Sequence, residues 1–191
     1  MEKRDLIVNK ATPLGGRIWF SFVLFGLVGQ LTWAVENSYF STYIQQTITA
    51  DSWATSATVI FSAIFAAAAT ILGGALMDRI GKRRPFVCFG YILWGLLTMA
   101  FALFGNEAYA NDARAITLIV IAFVTMDAIM SFVGSFSNDA AFSAWVTDVT
   151  DITNRAFVDT VGSIFPLVAM VVILVGFSGY ANNGQWALFF A

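Results

Sequence analysis

The chain has 191 residues, 59% of them hydrophobic, 16% aromatic and only 12% charged, with a mean hydropathy of +0.76 and a formal net charge of −2. A soluble domain carries about 25% charged residues, so this sequence lacks the polar surface that a soluble enzyme, a disordered tail or a nucleic-acid binder needs. One cysteine excludes an internal disulfide, and the absence of histidine removes the commonest metal ligand and proton shuttle.

What remains is an integral, multi-pass membrane protein. A spanning helix needs about 20 mostly apolar residues, and the chain divides into such runs at 18–44, 53–77, 85–104, 113–145 and 156–177. The first run is far longer than the apolar part of a cleaved signal and reads as a span. The fourth is too long for one straight crossing; Gly134, Ser135, Ser137 and Asn138 mark where it kinks or leaves the membrane. A sixth run opens at Trp186 and stops at Ala191, and six residues rise only about 9 Å. Residues 1–191 are therefore expected to be a fragment: five complete spans and a sixth cut short. The connecting loops are short and add no extramembrane domain.

Lysine and arginine stay on the cytoplasmic side of a membrane. Lys3, Arg4, Lys10 and Arg17 precede the first run, Arg79, Lys82, Arg83 and Arg84 lie between the second and third, and Arg155 lies between the fourth and fifth. The opposite loops hold only Arg114. The asymmetry predicts a cytoplasmic N-terminus. Trp19 and Trp145 near one boundary, and Trp53 and Trp186 near the other, suit the interfacial preference of indole.

The turn between the second and third runs reads Gly74-Ala-Leu-Met-Asp78-Arg79-Ile-Gly81-Lys82-Arg83-Arg84-Pro85. Gly74 would let another helix approach closely, Gly81 would permit a tight turn, and Asp78 ends a helix beside a cationic cluster that can pair with it or with anionic lipid headgroups. The positive-inside rule alone explains the charges but not two spaced glycines and an aspartate. The pattern Gly-x-x-x-Asp-Arg-x-Gly-Lys/Arg-Arg-Arg closely resembles the cytoplasmic loop between the second and third helices of the major facilitator superfamily, where it serves as a gating loop.

A second stretch, from Asp139 through Phe142, Trp145 and Thr147 to Asp151, followed by Asn154-Arg155, is similar to the end of the fourth helix in the glycoside–pentoside–hexuronide:cation symporters. Lys82-Arg83-Arg84-Pro85-Phe86 resembles the basic loop of the same group. The group's paired acids on the second helix are absent from 61–72, and no arginine lies on the fifth helix.

Charged groups at membrane depth cost several kcal/mol and are candidate functional sites by default. Three acids qualify: Glu36 in the first run, and Asp127 and Asp139 in the fourth. Apart from Arg114 at the outer end of the fourth run, no lysine or arginine falls inside a run, so neither Asp127 nor Asp139 has an intramembrane cationic partner here, and each is a candidate proton carrier. Gln30, Trp33 and Asn37 recur at i, i+3, i+7, one helical face, with Glu36 at its edge and Tyr39 and Tyr43 beyond. That face offers an indole to stack on a sugar ring and amides for its hydroxyls; the competing reading is an interhelical hydrogen-bond seam. Asp159 follows Arg155 at i, i+4 and is expected to pair with it. The stretch 66–69 with Gly73 and Gly74 is a small-residue packing stripe, Pro166 a kink, Cys88 an apolar filler, and Asp148 and Asp151 part of a solvated turn.

The resemblance implies an all-α polytopic fold: the N-terminal six-helix bundle of a twelve-helix major facilitator, built from two three-helix repeats of opposite topology whose first helices line a central cavity. It implies a secondary active transporter in the cell (plasma or inner) membrane rather than an enzyme, with no cofactor beyond a coupling H⁺ or Na⁺. Its partners would be a small polar solute, a sugar or glycoside, the coupling cation, the lipid bilayer and a missing C-terminal half or second half-subunit. The alternatives are a carrier for another solute, such as an organic anion or a drug, and an inactive truncated half-transporter.

Overall fold

The computed structural model describes residues 13–104 and 112–190. Lys3, Arg4, Lys10 and the loop 105–111, on which part of the charge argument rests, lie outside the described residues, as does Ala191. Among the described residues every regular element is helical. Five helices are long and apolar enough to cross a membrane: α1 Gly16–Thr47, α2 Ser52–Ile80, α3 Arg84–Leu103, α4 Ala113–Val149 and α5 Arg155–Asn182. A short α6, Trp186–Phe190, follows. Their outward faces carry Ile71, Phe89, Leu103 and Val175 at 73–82% exposure; a surface so apolar fits lipid and not water.

Small residues set the packing. Ser62, Ala66, Ala69, Gly73 and Met77 fall at helical spacing on the side of α2 that lies along α4. A Cβ on Gly73 would sit 2.7 Å from the Ala140 Cβ, so the two helices meet there at near backbone contact. The neighbouring Gly74, expected to admit a helix, faces open space: one residue turns a helix by about 100°, and the stripe passes through Gly73. At the end of α2, Gly81 does make the turn, with φ +67° and its N–H donating to the Met77 carbonyl at 3.0 Å.

α4 crosses as one continuous 37-residue helix whose middle, Ser135–Phe142, widens into π-helical turns. The widening falls on the Gly-Ser-Asn stretch where a kink was expected and buries Ser135, Ser137 and Asn138. α5 breaks between Gly162 and Phe165, and Pro166 opens the continuing segment, Phe165–Val171, as expected of a residue with no N–H to donate.

The two ends of the bundle differ. At the end away from the basic loop, Phe40, Tyr43, Phe101, Phe123, Trp186 and Phe190 pack with ring centroids as close as 4.5 Å, and the Tyr43 hydroxyl donates to the Phe101 carbonyl at 2.9 Å. At the basic end, Arg83 forms an ion pair with Asp148 at 3.0 Å and ties the loop to the end of α4. Asp148 is thus a partner of the loop and not merely part of a solvated turn. Asp78, the residue expected to engage the cationic cluster, makes no ion pair among the described residues. Arg155 and Asp159 approach to 3.9 Å across one turn, as their spacing implied. Cys88 is exposed and fills no core position.

Candidate functional site

The centre of the bundle holds a polar cluster drawn from three helices. Glu36 of α1 accepts hydrogen bonds through Oε1 from Ser62 of α2 at 2.7 Å and from Ser131 of α4 at 3.0 Å. The two serine oxygens are themselves 2.6 Å apart. Ser62 sits here because it belongs to the small-residue stripe of α2: its short side chain fits the tight α2–α4 contact while presenting an oxygen to α1. One turn before Ser131 lies Asp127, fully buried and close enough to Glu36 for the two carboxyl groups to interact electrostatically. Asp127, Ser131 and Ser135 recur at i, i+4, i+8 and are all buried, so one face of α4 is polar throughout its middle.

This cluster has open valences. Glu36 Oε2, both carboxylate oxygens of Asp127 and the Ser135 hydroxyl are buried without a hydrogen-bond partner among the described residues. Buried polar groups are ordinarily satisfied, and two acids sharing one dry site without a counter-ion are costly. The three unfilled carboxylate oxygens of Glu36 and Asp127 form an acceptor set that a proton, or an alkali cation with its preference for oxygen, would complete. Among the described residues, no three His, Cys, Asp or Glu side chains come together as a metal cluster.

The other expected residues fall into three groups. Trp33 meets Trp94 edge to face at a centroid distance of 5.3 Å, so part of the indole surface proposed for a sugar already contacts protein. Asn37 turns its amide back onto its own helix, donating to the Trp33 carbonyl at 2.8 Å, and its side chain is exposed. Gln30 is half-buried on α1. Glu36 points into the bundle, toward Ser62 of α2 and Ser131 of α4. The second group centres on Asp139. Tyr91 of α3 donates to Asn138 Oδ1 at 2.7 Å, and Asn138 Nδ2 donates to Asp139 Oδ1 at 2.8 Å. Asp139 is exposed on the outside of the wide turn, not an isolated buried carboxylate, because the π-helical register rotates Asn138 inward in its place. The loop residues form the third group: Asp78, Arg79, Gly81, Lys82 and Arg84 are exposed, Gly74 is half-buried, and Arg83 is held by Asp148.

Sequence reasoning missed Ser62 and Ser131. A single serine in an apolar helix ordinarily bonds its own preceding turn, and nothing in the spacing of Ser62 distinguishes it. Ser131 was legible: it lies at i+4 from Asp127 and i−4 from Ser135, a polar stripe in an otherwise apolar span. The chain matches no protein-family model, no curated protein and no solved structure.

Proposed function

We propose that this chain is the N-terminal transmembrane part of a secondary active transporter of the major facilitator type, one that couples transport of a small polar solute, a sugar or glycoside, to a cation. The observation that carries the coupling is the buried Glu36–Asp127 pair: two acids at the centre of an apolar bundle, with unfilled oxygens and no cationic side chain facing them among the described residues. Negative charge there is stabilised by a cation entering from solution, and a site that exchanges such a cation with the two sides of a membrane in turn is the core of a symporter. Ser62 and Ser131 hold Glu36 in place and offer further oxygens. The motif resemblances supply the solute class and the protein's place in the cell membrane, and the lysine and arginine asymmetry supplies the cytoplasmic N-terminus. Gln30 and Trp33 on α1 would face the solute, and the loop from Gly74 to Arg84 would govern closure on the cytoplasmic side.

Counterflow of radiolabelled sugars and glycosides into proteoliposomes containing the full-length protein, with and without a Na⁺ or pH gradient, tests this reading. A sugar or glycoside is expected to exchange, and one of the two gradients to drive its accumulation. Accumulation that ignores both gradients would remove cation coupling, and exchange of organic anions or drugs in place of sugars would reassign the solute.

A further inference from the structure

A groove of about 450 Å³ opens at the basic end of the bundle, between the starts of α1 and α3 and the end of α4. Arg17 of α1 and Arg84 of α3 line it, Ile18 and Phe25 give it an apolar wall, and Trp145 also lines it. No carboxylate lines it, and neither arginine forms an ion pair among the described residues. α1 starts at Gly16 and α3 at Arg84, neither with a side chain capping its first turn, so the positive ends of two helix dipoles lie at the same opening.

We propose that this groove seats an anionic phospholipid, with its phosphate between Arg17 and Arg84 and the upper part of an acyl chain against Ile18 and Phe25. Charge complementarity selects the anion: two guanidinium groups and two helix starts without side-chain caps face a space with no acid in it among the described residues. The apolar wall selects a lipid over a free phosphate, because a water-soluble anion would leave the half-buried Ile18 and Phe25 uncovered. The position agrees, since the groove lies where two membrane-spanning helices begin, at the level of headgroups, beside an indole. The site is separate from the Glu36–Asp127 cluster and does not depend on the transport reading.

Cys88, the chain's single cysteine, lines this groove and is exposed, which makes it a native reporter. In neutral detergent micelles, the alkylation of Cys88 by N-ethylmaleimide is expected to slow about tenfold when phosphatidylglycerol is added, the protection given by roughly 1.4 kcal/mol of net binding. Phosphatidylcholine and glycerol 3-phosphate at matched concentration should leave the rate near its starting value. Arg17→Gln/Arg84→Gln, in micelles of the same charge, should lose the protection, whereas Arg17→Lys/Arg84→Lys should keep most of it. Equal protection by phosphatidylcholine would overturn anion recognition, and equal protection by glycerol 3-phosphate would overturn the lipid. Phosphatidylglycerol protection that survives in the Gln variant would overturn the role of the arginines. The wild-type lipid comparison decides the proposal even if the Gln variant fails to fold.

Discussion

Two regions of this bundle lie about 10 Å apart along α1 and treat their polar atoms in opposite ways. Around Phe101 and Phe123, both fully buried, aromatic rings fill the space, and the Tyr43 hydroxyl is spent on the Phe101 carbonyl; the Trp186 indole N–H is left without a partner among the described residues. Two turns along α1, around Glu36 and Asp127, the helices instead enclose two carboxyl groups with three unfilled oxygens between them. The aromatic end is complete as it stands. The carboxyl centre is complete only with something added, and a sequence that could place leucine there instead carries the cost of acids. A region that stabilises the fold and a region that spends stability on binding should therefore respond differently to mutation.

The largest contrast is expected from Asp127→Asn in the full-length protein. It keeps size and hydrogen-bonding capacity but removes the charge, so gradient-driven accumulation should vanish while solute exchange at equal concentrations persists. Its thermal stability in detergent should hold or rise by about 1–2 kcal/mol, since an uncompensated buried acid is gone. Normal accumulation in this variant would erase the distinction between the two regions. Phe123→Ala tests the other side. It should cost about 3–5 kcal/mol, from lost contacts and the cavity left among four neighbouring rings, and what remains folded should retain coupling. A Phe123→Ala protein that is stable but uncoupled would mean that the aromatic end belongs to the mechanism. The smallest effect is Tyr43→Phe, which removes one buried hydrogen bond and should lower stability by about 0.5–1.5 kcal/mol with transport unchanged; denaturation in mixed micelles reads it.

The same two regions show what could be read in advance. The aromatic end is dispersed in sequence, with Tyr43, Phe101, Phe123 and Phe190 on four separate helices, and nothing in the spacing announces that they converge. Glu36 and Asp127 were conspicuous, because acids in apolar runs are rare, yet their meeting was not. Asp139 looked equivalent to Asp127 in sequence. The π-helical turns of α4 separated them, rotating Asn138 inward toward Tyr91 and leaving Asp139 outside. A shift of register within a helix follows from packing against its neighbours, here the close Gly73–Ala140 contact, and hydrophobic periodicity does not record it.

Composition and run length by themselves determined that the chain is helical, that it crosses a membrane, and within a few residues where five helices lie, because a bilayer leaves a long apolar segment no other way to satisfy its backbone. The turn at Gly81, the break at Pro166 and the Arg155–Asp159 pairing are also local matters of backbone and spacing, legible without a fold. Tertiary structure alone decided that Gly73 and not Gly74 carries the close contact, that Arg83 finds Asp148 and not Asp78, and that Ser62 and Ser131 converge on Glu36. Each of these depends on which face of one helix meets which face of another. In lipid that choice is made by close packing and hydrogen bonding between helices, with no difference in hydrophobicity to write it into the sequence.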